Sequence, residues 1–142
     1  MRFMMIVKAS KDSEAGVLPR KEMLAAMGKY NEELAKAGVM LAGEGLQASS
    51  KGARITFSGS KRTVTDGPFT ETKELVAGFW LIQVKSKEEA IEWAKRVPFK
   101  DGEVLEIRQV FEASDFPAEI FPPEDAAREQ QLRDELQRKT KP

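Results

Sequence analysis

Asp66, Glu71, Lys73 and Glu74 fall within nine residues, directly around an Asp66-Gly67-Pro68 turn, and they are the side chains of this chain best placed for chemistry. The chain contains no His and no Cys. That removes disulfides, thiolate nucleophiles, Cys/His zinc sites and His-based triads. Acid–base work near neutral pH normally falls to His, and here only carboxylates, lysines and Tyr30 are left to do it. Asp and Gly before Pro favour a tight turn, and Pro68 pushes Gly67 away from helix. A carboxylate held in such a turn has two readings. Asp66 is either a general base or polar anchor in a pocket, or a turn former that accepts backbone N–H bonds.

The neighbouring charges have paired readings as well. Lys73, between Glu71 and Glu74, could fix a carboxylate or bind an anionic group of a substrate. The alternative is a solvated loop with surface ion pairs worth about 0–1 kcal/mol each. Glu44 lies between Gly43 and Gly45, and glycines inside a strand often mark close approach by a ligand or another backbone. That makes Glu44 a pocket candidate. Phe69 and Trp80 are the aromatic candidates for a ligand wall, with core packing the competing role for Trp80. Glu44, Asp66 and Glu71 are the acids that could meet at Mg²⁺ or Mn²⁺, but their spacing matches no calcium-type loop. No phosphate-binding glycine loop is present. No metal and no cofactor are expected.

These residues need elements to position them. Met1–Lys8 reads as a strand that is apolar on both faces. A polar loop with Gly16 and Pro19 follows, then a helix over about Arg20–Ala37 on which Met23, Met27, Tyr30 and Leu34 form one stripe. Gly38 stops it. Val39–Leu46 is a strand, and Ala53–Phe57 with Arg62–Thr65 is a hairpin around Ser58-Gly59-Ser60-Lys61. Ala77–Val84 is a second strand with two apolar faces. Ser86-Lys87-Glu88-Glu89 has capping-box spacing and opens a helix to about Val97, before Pro98. Val104–Phe111 is the last strand.

Without the hairpin, the order is β-α-β-β-α-β. The expected fold is α+β, a ferredoxin-like sheet with both helices on one face. The two strands with two apolar faces belong at its centre. Helices cover only one face, so a second copy packing sheet against sheet is the expected cover for the other. The domain is expected over residues 1–112. Residues 113–142 form an extended tail with a charged helix over Glu124–Lys139, whose narrow Leu132/Leu136 stripe cannot anchor a buried helix alone.

Four ordered blocks carry a family resemblance: Asp66-Gly67-Pro68-Phe69-Thr70-Glu71-Thr72-Lys73-Glu74, Gly43-Glu44-Gly45-Leu46-Gln47, Gly78-Phe79-Trp80-Leu81-Ile82 and Glu89-Ala90-Ile91-Glu92-Trp93-Ala94. Over roughly residues 1–112 the chain resembles the DGPF-domain, YCII-related family of small bacterial proteins. The resemblance implies a dimeric α/β barrel. Relatives with that architecture include isomerases, lyases and monooxygenases acting on small, often aromatic-derived molecules. Some YCII-type relatives use a His–Asp pair. This chain supplies the Asp but no His, so that mechanism does not carry over. Members of the DGPF group are often associated with alternative sigma factors of the extracytoplasmic-function type.

Two function classes follow. One is a cofactor-independent isomerase, lyase or related enzyme, with Asp66 as base and Glu44, Phe69, Glu71, Lys73 and Trp80 around a small-molecule ligand. The other is a non-catalytic ligand-binding or regulatory protein. The 142 residues carry 23 basic and 23 acidic side chains, so no global field draws the chain to nucleic acid or anionic lipid. Met1–Val7 reads as a strand rather than a signal-peptide core, and no apolar run approaches the ~20 residues of a membrane span. A cytoplasmic homodimer with a small-molecule ligand, and no direct contact with nucleic acid or membrane, is the expectation.

Overall fold

The computed structural model describes residues 1–140. Its elements are β1 (Arg2–Lys8), α1 (Lys11–Glu14), α2 (Lys21–Lys36), β2 (Met40–Gly45), β3 (Ala53–Ser58), β4 (Lys61–Asp66), β5 (Val76–Gln83), α3 (Lys87–Ala94), β6 (Leu105–Gln109) and α4 (Pro123–Thr140). Four strands form one antiparallel sheet in the order β2-β5-β1-β6. The doubly apolar strands β1 and β5 are the central pair, and the order is that of a ferredoxin-like α+β fold. Strands β3 and β4 pair only with each other and form a separate, wholly exposed ribbon.

Alternation along the central strands sorts their side chains. Phe3 and Met5 of β1, with Trp80 and Ile82 of β5, are buried against Tyr30 and Leu34 of α2 and Ala90 of α3. Both helices therefore cover one face. Phe3, Met5, Leu34 and Ile82 are fully buried, each worth about 1.5–3 kcal/mol. The opposite face carries Met4, Ile6, Ala42, Phe79 and Leu81, all partly exposed. A Lys8–Glu106 ion pair at 3.3 Å lies beside it. Gly38, at φ +72°, ends α2 in the left-handed conformation that a side chain would disfavour.

Three local expectations need correction. The polar loop after β1 contains the helix α1, too short to show a hydrophobic period. Its N-cap is reciprocal, with Ser13 N–H donating to Ser10 Oγ at 3.1 Å and Ser10 N–H to Ser13 Oγ at 2.8 Å. At α3, Ser86 Oγ accepts from Glu89 N–H, but the Glu89 carboxylate reaches back to Lys85 N–H rather than to Ser86. Helix α3 itself stops at Ala94, and a turn continues to the buried Val97.

Tyr30 is the one tyrosine of the chain. It is 3% exposed, its hydroxyl donates to the Trp93 carbonyl at 2.7 Å, and its ring meets Trp80 edge-on at 5.4 Å. Burial pushes its pKa from 10 up to about 12. With the folded value raised, the stability tied to neutral Tyr30 is complete below pH 10 and is lost as pH rises through 12. A tyrosinate absorbance titration is expected to show a native midpoint well above that of the unfolded chain. A native midpoint near 10 would contradict this packing.

The second compact unit begins at Phe111. Within it Phe116 packs against Phe111 at 4.9 Å and Phe121 at 6.0 Å between ring centroids. Helix α4 carries Arg128–Asp125 and Arg133–Glu129 pairs at helical spacing. Among the described residues no helix is long and apolar enough to cross a membrane.

Candidate functional site

A groove of about 620 Å³ lies between two short segments, Ala9-Ser10-Lys11 on one side and Thr70–Glu74 on the other. The walls are joined where Ala9 N–H donates to the Leu75 carbonyl at 2.9 Å. The first wall is fixed by the reciprocal cap of α1, which leaves Lys11 at the groove. The second is a single 3-10 turn over Thr72–Glu74 that leads into β5. Lys11, Glu71, Lys73 and Glu74 are exposed at the groove. Among the described residues none of the four belongs to an ion pair. Ser10, Thr70 and Thr72 complete the lining.

The block around Asp66 is held by a residue that the sequence reading did not single out. Ser49, in a 3-10 turn over Ser49–Lys51, donates both its backbone N–H and its hydroxyl to the Glu14 carboxylate. Its Oγ also accepts Phe69 N–H at 3.0 Å. The cis Gly67–Pro68 peptide lies against the same turn, and Gly67 N–H donates to the Gly52 carbonyl at 3.0 Å. A Cβ on Gly67 would fall 1.8 Å from the Ser49 carbonyl oxygen. Glycine stands there because two backbones meet.

The bonds from Ser49, hydroxyl first and backbone second, hold the Glu14 carboxyl below its ordinary 4.5. A lowered folded value means that this contribution is complete above pH 4.5 and is lost as pH falls through the lowered value. Glu14→Gln is therefore expected to be less stable than the wild type near neutrality, with the gap closing as pH falls below 4.5. Melting curves across that range test it, and a gap that stays constant would contradict the assignment.

Of the anticipated site residues, the structure brings Glu71 and Lys73 together at the groove. The others lie elsewhere. Asp66 is the last residue of the exposed ribbon, opposite Ala53, and does not line the groove. The hairpin forms its own two-stranded sheet, so Asp66 lies on that ribbon and not on the main sheet. Phe69 is held by Ser49 through its N–H, and the Arg54 guanidinium sits 3.8 Å from its ring centroid. Glu44 is exposed on edge strand β2, opposite Phe79. Trp80 is in the helix-side core, its Nε1–H bonded to Asn31 Oδ1 at 2.7 Å. The neighbours that Gly43 admits are Met40 and Trp80, since a Cβ there would lie 2.8 Å from Met40 Cε and 2.9 Å from Trp80 Cδ1. Glu44, Asp66 and Glu71 do not meet: among the described residues no three acidic side chains form a group able to hold a metal ion. Glu14 and Ser49 are 35 residues apart and carry no motif, which is why residue spacing does not reveal them.

Comparison with known proteins agrees with the four sequence blocks. Residues 1–114 match the model of the YCII-related domain. An uncharacterised protein of Rhizobium meliloti (strain 1021) is 34% identical over 86 residues, covering 61% of this chain and 64% of that protein, so the match spans less than two thirds of the relative. Among solved structures, 5-chloro-2-hydroxyhydroquinone dehydrochlorinase (TftG) from Burkholderia phenoliruptrix AC1100, in complex with 2,5-dihydroxybenzoquinone, is 16% identical. That alignment covers 82% of this chain and 100% of the other, with a TM-score of 0.40. At that score neither its ligand nor its activity transfers. The match over residues 1–114 decides the family, and the chain belongs to the YCII-related family.

Proposed function

We propose that this chain binds a small organic acid in the groove between α1 and the Thr70–Glu74 turn. The observation that carries the reading is the set of four groove charges, Lys11, Glu71, Lys73 and Glu74, none of them spent on an ion pair among the described residues. Lys11 and Lys73 would meet a carboxylate from opposite walls. Glu71 and Glu74 would accept from a hydroxyl or amino group on the same ligand. In the catalytic form of this reading, Asp66 takes a proton next to a carbonyl, Lys73 faces the developing oxyanion and Glu71 orients the substrate. Such a substrate has to reach past the Gly67–Phe69 turn, because Asp66 is outside the groove lining. The functional unit is a homodimer, formed by the apolar sheet face around Ile6 and Phe79.

The non-catalytic reading, a ligand-binding or regulatory protein, is favoured by one observation: the carboxylate offered as base is exposed. Turnover and binding assays on variants separate the two. Lys73→Ala is expected to weaken binding of an organic acid by about tenfold or more, the usual effect of losing a charge-assisted bond. Asp66→Asn should leave that binding intact and abolish turnover only if the chain is an enzyme. Unchanged affinity in both Lys73→Ala and Glu71→Gln would remove the groove reading.

A further inference from the structure

We propose that Ser49 is the positioning residue of the groove, a single side chain that fixes both of its walls at once. This rests on the groove being the binding site. A serine hydroxyl has one proton to donate and two lone pairs to accept with. Ser49 spends the proton on Glu14, the last residue of α1, and takes Phe69 N–H on a lone pair. Glu14 is three residues beyond Lys11 on the same short helix, and Phe69 immediately precedes Thr70. One wall therefore hangs from the donor side of the hydroxyl and the other from its acceptor side.

The rest of the contact suits a fixed support. Ser49 N–H also donates to Glu14 at 2.9 Å, so both carboxylate oxygens are occupied. The Ser49 carbonyl accepts Gly52 N–H at 2.9 Å and lies where a Cβ on Gly67 would have to go. The backbone of this turn is thus held independently of the hydroxyl. A helix of four residues and a single 3-10 turn are too short to be rigid alone. The Ala9–Leu75 bond secures the walls where β1 and β5 begin to pair; Ser49 supplies the second tie. A ligand held by Lys11 from one wall and by Lys73 from the other depends on that spacing.

Hydrogen–deuterium exchange on the full-length chain, without ligand, tests the clamp directly. In Ser49→Ala, the amides of Glu14 and Ala15 and those of Phe69 to Leu75 are expected to exchange about tenfold faster, as loss of one partly buried hydrogen bond allows. Amides of the β1–β5 ladder should keep wild-type protection. Ser49→Thr retains the hydroxyl and should restore both segments. Loosening of one wall only, of neither, or of the whole sheet by the same factor would overturn the proposal. With benzoate as probe, Ser49→Ala should bind about tenfold more weakly than wild type and Ser49→Thr should recover. A wild-type chain that binds no acid while Ser49→Ala loosens both walls would sink the binding reading and leave the clamp standing.

Discussion

Gly67→Ala is expected to lower the melting temperature by about 10 °C, equivalent to roughly 3 kcal/mol for a chain of this size. A Cβ at 1.8 Å from the Ser49 carbonyl oxygen cannot be relieved by a side-chain rotation, because the atom it meets is backbone. Either the Ser49–Lys51 turn or the Gly67–Pro68 peptide has to move. Movement of either disturbs the Gly67–Gly52 bond and the Phe69–Ser49 bond that depend on their approach. Gly45 provides the control, being a glycine of the same chain with nothing within 4 Å of an added Cβ. Gly45→Ala should melt within a few degrees of wild type. Equal melting temperatures for the two variants would show that the block around Asp66 does not pack on Ser49.

The second large effect concerns the sheet face opposite α2 and α3. Met4, Ile6, Phe79 and Leu81 form an apolar patch on the face opposite the core that α2 and α3 cover, on the two strands that run through the middle of the sheet. Two such patches face to face would bury well over about 1,000 Å² in total, the range of a specific interface. Sedimentation at micromolar concentration is expected to show a dimer. Ile6→Glu would place an unpaired carboxylate at its centre and should weaken association by at least about a hundredfold, or about 2.7 kcal/mol. A wild-type chain that sediments as a stable monomer would remove the interface and the barrel implied by the family resemblance.

The fold was largely readable because its signals are periodic. The Met23–Leu34 stripe, the Gly38 stop and the two strands with apolar residues on both faces specify one α/β layer and the centre of its sheet. The alternation in β5 separated Trp80, Ile82 and Val84 from Phe79 and Leu81, and the buried set is the one facing the helices. Short elements were harder. Helix α1 is a single turn, and its capping serines resemble any polar loop.

The site was readable in part. Local density of charge brought Glu71 and Lys73 to attention, and both line the groove. Asp66 drew attention as the carboxylate of the Asp-Gly-Pro turn, and it ends a ribbon that stands apart from the main sheet. Glu44 drew attention through its glycines, but Gly43 makes room for the Trp80 indole. The Glu14–Ser49 contact depends on a tertiary approach between two unremarkable loops, and no spacing rule encodes it.

The groove is tested most directly by recording amide chemical shifts of the wild-type protein while titrating a panel of small organic acids. The account predicts saturable shifts in at least one titration, centred on Ser10, Lys11 and Thr70–Glu74, with a midpoint moved about tenfold or more to higher concentration by Lys73→Ala. Shifts confined to Met4, Ile6, Phe79 and Leu81, or groove amides that stay unmoved across the panel, would contradict it.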